Sequence, residues 1–278
     1  MKKKITVIIP VFNNISIAMA IESVKVIKTD EVGLIVIDGG STDGTIEIIS
    51  KYKEIIDIFI SEKDDGIYDA MNKGILLADS EWVFILASDD KLICNPIEII
   101  KRYEDGQYDL LCGNIIRDYN NGTYLIGKSD KDLSQLKTIC SLWQPATFFK
   151  KSVFEQYGQF NKDLKCAGDR DLFLRLYEQG AKFYIMDEFV TLFREGGIST
   201  KNPVKCGYLE DMILSDRYGA NKVKTRLFFI KRSFRFWGSK LKDLLGIKHQ
   251  SRRLTKTELY KELENEWGQA ESLRAYFG

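Results

Sequence analysis

Two adjacent carboxylates, Asp89 and Asp90, close the run Glu81-Trp82-Val83-Phe84-Ile85-Leu86-Ala87-Ser88. The run has the length and apolarity of a buried strand. In open α/β sheets ligands bind beyond the carboxyl ends of the strands. Paired aspartates there make a hard-oxygen site suited to Mg²⁺ or Mn²⁺ and, through the cation, to a phosphate-bearing substrate. The plain alternative is a solvated turn leading to a helix after Pro96. Taken alone, the pair favours that alternative.

Other residues change the balance. Residues 34–37 form a second strand, which runs into Asp38-Gly39-Gly40-Ser41-Thr42-Asp43-Gly44-Thr45. The glycines permit close backbone approach to a ligand, although an ordinary Gly-rich turn reads the same way. Asp38 is more specific: a carboxylate at a strand end can accept from a nucleobase imide N–H, which selects uracil or thymine. Phe12-Asn13 follows the first strand, residues 5–10. Asp169 opens an amphipathic helix that turns Leu172, Phe173 and Leu176 inward; locally it reads as an N-cap with Arg175 as an exposed partner.

The elements that must position these groups alternate. Asn13 or Asn14 caps a helix with Ile17, Ala20, Ile21 and Val24 on one face. A helix through Ile46, Ile49 and Tyr52 precedes a strand at 55–60. A helix at 68–78 precedes the strand at 82–86. Such alternation predicts right-handed crossovers and a largely parallel sheet covered on both faces, so the loops at Phe12, Asp38 and Asp89 share one rim. The first half thus reads as a Rossmann-like nucleotide-binding unit. Neither a G-x-G-x-x-G after the first strand nor a Walker lysine is present. Further on, the pattern predicts a helix at 97–103 and a hairpin of 110–117 with 123–126 around Asn120-Asn121-Gly122. Strands at 144–149 and 182–186 and helices at 151–157 and 203–219 complete the series.

Composition narrows the chemistry. His249 is the only histidine, which removes most zinc and Ser-His-Asp mechanisms. The five cysteines (Cys94, Cys112, Cys140, Cys166, Cys206) lack metal or redox spacing and read as reduced thiols of a cytoplasmic protein. Met1-Lys2-Lys3-Lys4 imitates a signal peptide, but Pro10 and Asn13-Asn14 break the apolar run, so a first strand is expected. No apolar stretch approaches transmembrane length. Residues 222–253 hold eleven Lys or Arg against the single acid Asp243, a net +10 that leaves −9 for the rest of a chain whose net charge is +1. Their aromatics, Phe228-Phe229, Phe234 and Phe236-Trp237, fit an interfacial segment on an anionic membrane, or equally a helix packed on the domain. Nucleic-acid binding has no recognised module behind it. Residues 255–271 predict a more acidic helix with Leu259, Leu263 and Trp267 on one face, able to fold back or to support a homodimer.

Thr6-Val7-Ile8-Ile9-Pro10-Val11-Phe12-Asn13 resembles the opening strand of family 2 inverting glycosyltransferases with the GT-A fold. The Asp38–Thr45 string resembles their second-strand loop. Glu62-Lys63-Asp64-Asp65-Gly66-Ile67-Tyr68-Asp69-Ala70-Met71-Asn72-Lys73-Gly74 is close to the signature of a bacterial subgroup tied to colanic-acid, O-antigen and capsule assembly. Gln144-Pro145-Ala146-Thr147-Phe148-Phe149 and Phe193-Arg194-Glu195-Gly196-Gly197-Ile198-Ser199 extend the match over roughly residues 4–200. The resemblance implies an α/β GT-A domain over 1–220, with a nucleotide-sugar half (1–100) and an acceptor half (101–220), followed by a helical C-terminal extension (221–278). It implies a UDP-sugar donor contacted by Pro10, Phe12, Asn13, Asp38, Asp64, Asp89 and Arg194. Mn²⁺ or Mg²⁺ would sit at Asp89 and Asp90, Asp169 would be the general base, and Trp143 and Gln144 would line the pocket for a glycan or polyprenyl-diphosphate acceptor. The chain departs from the pattern twice: Ala87 stands two residues before Asp89 where relatives carry an acid, and Gly168 replaces the usual Glu before the base. Those departures keep open a catalytically silent, membrane-associated scaffold. A sugar-nucleotide pyrophosphorylase would instead show a basic Gly-rich loop after the first strand, which Pro10-Val11-Phe12-Asn13 is not.

Overall fold

The computed structural model describes residues 2–196, 209–223, 225–231, 233–234, 253–271 and 273. Strands β1 (Lys3–Val11), β2 (Val32–Asp38), β3 (Ile58–Ser61) and β4 (Ser80–Ile85) run parallel in the order β3-β2-β1-β4. Both faces are covered at the central strands, which is why every residue of β2 is buried, whereas the edge strand β3 alternates half-buried and exposed. Along β1 the side chains alternate: Ile5, Val7 and Ile9 join one core layer and Ile8 the other. Helix α1 (Ile17–Lys25) buries the expected face of Ile17, Ala20, Ile21 and Val24. Helices α2 (Thr45–Ile49) and α3 (Ile67–Leu77) make the next two crossovers, and α4 (Pro96–Tyr103) is capped by Asn95.

Beyond β4 the pairing changes. β8 (Thr147–Lys150) lies antiparallel to β4, and β6 (Leu110–Asp118) lies antiparallel to β8 and to its hairpin partner β7 (Thr123–Gly127). The strand β9 (Phe183–Arg194) returns parallel to β6 and pairs antiparallel with the short β5 (Lys91–Leu92). α5 (Lys151–Tyr157) and α6 (Gly168–Glu178) cover one face. Each core layer draws on both halves of the chain: Ile17, Phe84, Phe148 and Met186 share one, and Ile8, Val83, Phe149 and Phe173 share the other.

The structure departs from the sequence expectation in places with clear causes. The strand expected at 182–186 runs on to Arg194, because Asp187 and Glu188 fall where the β6–β9 register shifts rather than at a strand end. Gly113 makes room for that irregularity: a Cβ there would lie 2.8 Å from Glu188 O. The strand expected at 144–149 begins as a 3-10 turn, Gln144–Ala146, because Pro145 has no N–H for the ladder. Within the predicted helix at 203–219 lies α7 (Leu209–Arg217); residues 203–208 are outside the described residues. So are Gly197-Ile198-Ser199, Cys206, His249 and residues 235–252 of the basic segment.

At the far edge, β10 (Leu254–Thr255) pairs with β7, and α8 (Lys256–Trp267) starts with a Thr255/Glu258 capping box. Its Leu259 and Leu263 are fully buried in a cluster with Ile116, Phe189 and Leu192, and Trp267 meets Phe189 edge-on at 5.2 Å. The apolar face of this helix is thus covered by its own sheet. Among the described residues, no helix is long and apolar enough to cross a membrane.

Candidate active site

The carboxyl ends of β1, β2 and β4 meet, and side chains lace them together. Asn13 takes a left-handed conformation (φ 46°), which asparagine tolerates better than most residues. Its N–H donates to Ser41 Oγ at 2.7 Å and its Oδ1 accepts from Thr42 N at 2.8 Å. Asn14 N donates to Thr45 Oγ1 at 2.9 Å, and Asn14 Nδ2 reaches Ser88 Oγ at 2.8 Å. The three loops expected to share a rim are therefore hydrogen-bonded to one another.

Asp38 is fully buried beneath that rim. Its Oδ2 accepts from Gly40 N, Ser41 N and Ser61 Oγ at 3.1, 3.0 and 2.6 Å, and its Oδ1 takes the Ser41 hydroxyl. Its carboxylate thus organises the loop. Asp64 Oδ1 accepts from Gly66 N at 2.9 Å, and its Oδ2 packs against Gly39, where a Cβ would lie 2.5 Å away, so the two loops meet there. Pro10 is buried within β1, whereas the Phe12 ring stands 61% exposed.

The two acids after β4 differ in setting. Asp89 is half-buried; Asp90 is buried, with Oδ1 accepting from Arg194 N at 2.8 Å. Its Oδ2 is buried and has no hydrogen-bond partner among the described residues. Burial pushes the Asp90 carboxyl well above the usual range; the Arg194 N–H opposes this and the Asp89 charge adds to it. An orphaned, buried carboxylate oxygen beside a second carboxylate fits a hard divalent cation. Among the described residues there is no cluster of three acidic, His or Cys ligands, so such a cation would take its remaining oxygens from substrate phosphate and water. Gln144 Nε2 donates to Ile85 O at 3.3 Å, which sets it under the same strand end. Trp143 is half-buried: its indole N–H donates to Lys128 O at 3.1 Å and its ring lies against Gly127.

Asp169 sits at the start of α6. Its Oδ1 accepts from Arg170 N at 2.7 Å and its Oδ2 faces Cys140 Sγ at 3.9 Å. Burial pushes its carboxyl up to about 6; the Arg170 N–H opposes the shift and the Asp211 charge adds to it. A carboxylate with a pKa near neutrality is suited to take a proton. The loop before it is clamped by Glu210, whose carboxylate accepts from Lys165, Cys166 and Ala167 N–H at 2.8, 2.9 and 2.9 Å. Arg170 is fully buried and spreads its donors over Leu136 O, Lys137 O, Asp211 and Ser215 Oγ. Sequence reasoning passed over Asn14, Ser61, Ser88, Cys140, Glu210 and Arg170, whose types mark no chemistry until the fold assembles them. Tyr68 and Ser41 did carry a signal, lying within the Glu62–Gly74 and Asp38–Thr45 strings.

Residues 6–172 match the model of Glycosyl transferase family 2. The PGL/p-HBAD biosynthesis glycosyltransferase of Mycobacterium tuberculosis is 26% identical over 228 residues, spanning 78% of this chain and 87% of its own length. The poly(ribitol-phosphate) beta-N-acetylglucosaminyltransferase TarP of Staphylococcus aureus is 34% identical over 118 residues, 40% of this chain and 36% of that protein. The crystal structure of S. aureus TarS 1–349 with UDP-GlcNAc superposes with a TM-score of 0.62 at 19% identity, over 80% of this chain and 69% of that one; at such identity the likeness speaks for the fold, which is GT-A. The family match begins in β1 and ends inside α6, so the rim, the Asp89-Asp90 pair and Asp169 all lie within it, and the chain belongs to glycosyl transferase family 2 and is a glycosyltransferase.

Proposed function

We propose that this glycosyltransferase binds a UDP-sugar with Mn²⁺ or Mg²⁺ held by Asp89 and Asp90. It transfers the sugar, with inversion, to a hydroxyl of a glycan or polyprenyl-diphosphate-linked acceptor. The product is a bacterial surface polysaccharide intermediate of the colanic-acid, O-antigen or capsule kind. The observation that carries the reading is Asp90 Oδ2, a buried carboxylate oxygen with no partner among the described residues, at a rim built from three strand ends. The names of the relatives support the substrate class: TarS is crystallised with UDP-GlcNAc and with UDP, and TarP acts on poly(ribitol-phosphate).

When bound, the cation would supply Lewis-acid stabilisation of the departing diphosphate. The exposed Phe12 ring offers a stacking face for the base, with Pro10, Asn13, Asp38 and Asp64 around the nucleoside. Arg194, whose charge already acts on Asp90, offers a guanidinium to phosphate oxygens. Asp169 accepts the proton of the acceptor hydroxyl as it attacks, and a single displacement inverts the anomeric centre. Gln144 and Trp143 flank the acceptor side. The chain would act at the cytoplasmic face of a membrane, held by the basic segment 222–253. In the helical stretch 225–231 the domain buries Thr225 and Phe229, while Leu227 and Ile230 stand 54% and 51% exposed beside Arg226 and Lys231.

A thermal-shift panel of UDP, UDP-glucose and UDP-N-acetylglucosamine with and without Mn²⁺ tests the site, since a ligand that binds only the folded chain raises its melting temperature. At least one should give a Mn²⁺-dependent rise that disappears in Asp89→Ala/Asp90→Ala. A rise that survives in the double variant would remove the metal assignment.

A further inference from the structure

At the start of a helix the first N–H groups have no intrahelical partner and must find one elsewhere. At α6 several of those partners come from distant parts of the chain. Glu210 takes the N–H groups of residues 165, 166 and 167; Asp169 Oδ1 takes that of Arg170; and Asp171 N makes the first turn, to Ala167 O at 2.9 Å. Between them, Gly168 N donates to the phenolic oxygen of Tyr68 at 2.9 Å. Tyr68 belongs to α3, one hundred residues earlier, in the half that carries the donor rim. Its ring is buried, stacks on Phe160 at 5.6 Å and occupies the space in front of Gly168, where a Cβ would meet it at 2.6 Å. The missing side chain at 168 is therefore filled by a tyrosine from the other half.

We propose that Tyr68 is a positioning residue for Asp169: its hydroxyl pins the backbone one residue before the base and so sets where that carboxylate stands. The inference rests on the reading of Asp169 as the base. Burial and the Asp169 charge hold the Tyr68 phenol well above its ordinary value, so it remains a neutral hydroxyl throughout the working range.

The test uses the full chain with aspartate carboxyls labelled with ¹³C, the Asp169 signal being assigned by its loss in Asp169→Asn. In Tyr68→Phe, which keeps the ring on Phe160, the Asp169 midpoint should move down from about 6 as water reaches a loosened helix start. UDP release from UDP-N-acetylglucosamine and Mn²⁺ should fall about ten- to hundredfold, the scale expected for a misplaced catalytic group. UDP affinity should hold. Gly168→Ala attacks the same contact with the hydroxyl intact and should behave alike; it decides the matter if Tyr68→Phe does not fold. An unchanged midpoint, or equal losses of rate and UDP affinity, overturns the proposal. Undiminished UDP release in Asp169→Asn would remove the base reading instead, a failure that the Tyr68 midpoint measurement does not share.

Discussion

Asp90 Oδ1 accepts the backbone N–H of Arg194 at 2.8 Å, although 104 residues separate the two. The bond ties the end of β9 to the acidic loop after β4 and leaves the second carboxylate oxygen buried without a partner among the described residues. One aspartate thus anchors the strand that carries Arg194 and holds the buried oxygen proposed above to meet a cation.

The two jobs separate by substitution. Asp90→Asn keeps an acceptor for the Arg194 N–H but loses the charge; Asp90→Ala loses both. Asp90→Asn should stay near wild-type stability in urea, and Asp90→Ala should lose about 1–3 kcal/mol, the cost of an unsatisfied buried donor. Both should weaken Mn²⁺-dependent UDP binding by roughly tenfold or more in calorimetry, since a charged ligand is worth more than about 1.4 kcal/mol. Full Mn²⁺-dependent affinity in Asp90→Asn would show that the charge is not used.

The division between what residues announce and what only a fold assembles is visible here. The strands β1, β2 and β4 and the inward face of α1 were legible because burial on one or both faces leaves an unbroken or periodic apolar pattern. Asp38, Asp89, Asp90 and Asp169 were legible because acids stand where apolar runs stop or a helix starts. The reach of β9 to Arg194 was hidden by Asp187 and Glu188, which look like a strand end and lie in a register shift. Arg170 was hidden because an arginine inside an amphipathic helix reads as solvent-facing, whereas its partners come from segments 33 to 45 residues away in sequence.

Asp169 should govern the acid limb of turnover. With its carboxyl at about 6, the rate of transfer should fall as pH drops through that value, and Asp169→Asn should abolish transfer while donor binding persists. Stability should respond in the opposite sense. The folded pKa lies above the ordinary 3.8, so the folded state binds the extra proton between about pH 4 and 6 and stability declines as pH rises through that window. Asp169→Asn should therefore melt higher than wild type at pH 7, by on the order of 1–3 kcal/mol, and the gap should close near pH 4. Parallel melting curves would detect no gap if the group titrates normally.

Arg170 should matter to the fold more than any surface charge. Arg170→Met strands the carbonyls of Leu136, Lys137 and Asp211 and the Asp211 carboxylate in a buried setting, so about 3–5 kcal/mol should be lost in urea unfolding. Arg170→Lys should recover little, because an ammonium cannot fork to acceptors on two sides. Near-wild-type midpoints in both would mean that α7 is held by its apolar contacts alone.

The exposed helix after α7 gives the last prediction. Within the helical stretch 225–231, Leu227 and Ile230 lie three residues apart on one face and are 54% and 51% exposed, and Val223 and Phe234 on either side of it are 70% and 75% exposed. Lys222, Arg226 and Lys231 are exposed beside them. A stripe of that kind rimmed by cations matches a bilayer whose surface is anionic, with the apolar side chains at the acyl boundary and the lysines and arginines at the headgroups. Leu227→Glu/Ile230→Glu should cut flotation with phosphatidylglycerol-containing vesicles strongly and leave the melting temperature unchanged. Raised salt should weaken wild-type binding, and vesicles of neutral lipid should bind poorly. Undiminished flotation of the double variant would place the lipid contact elsewhere in the chain, and a concentration-dependent shift from dimer to monomer in its place would assign the stripe to a second copy.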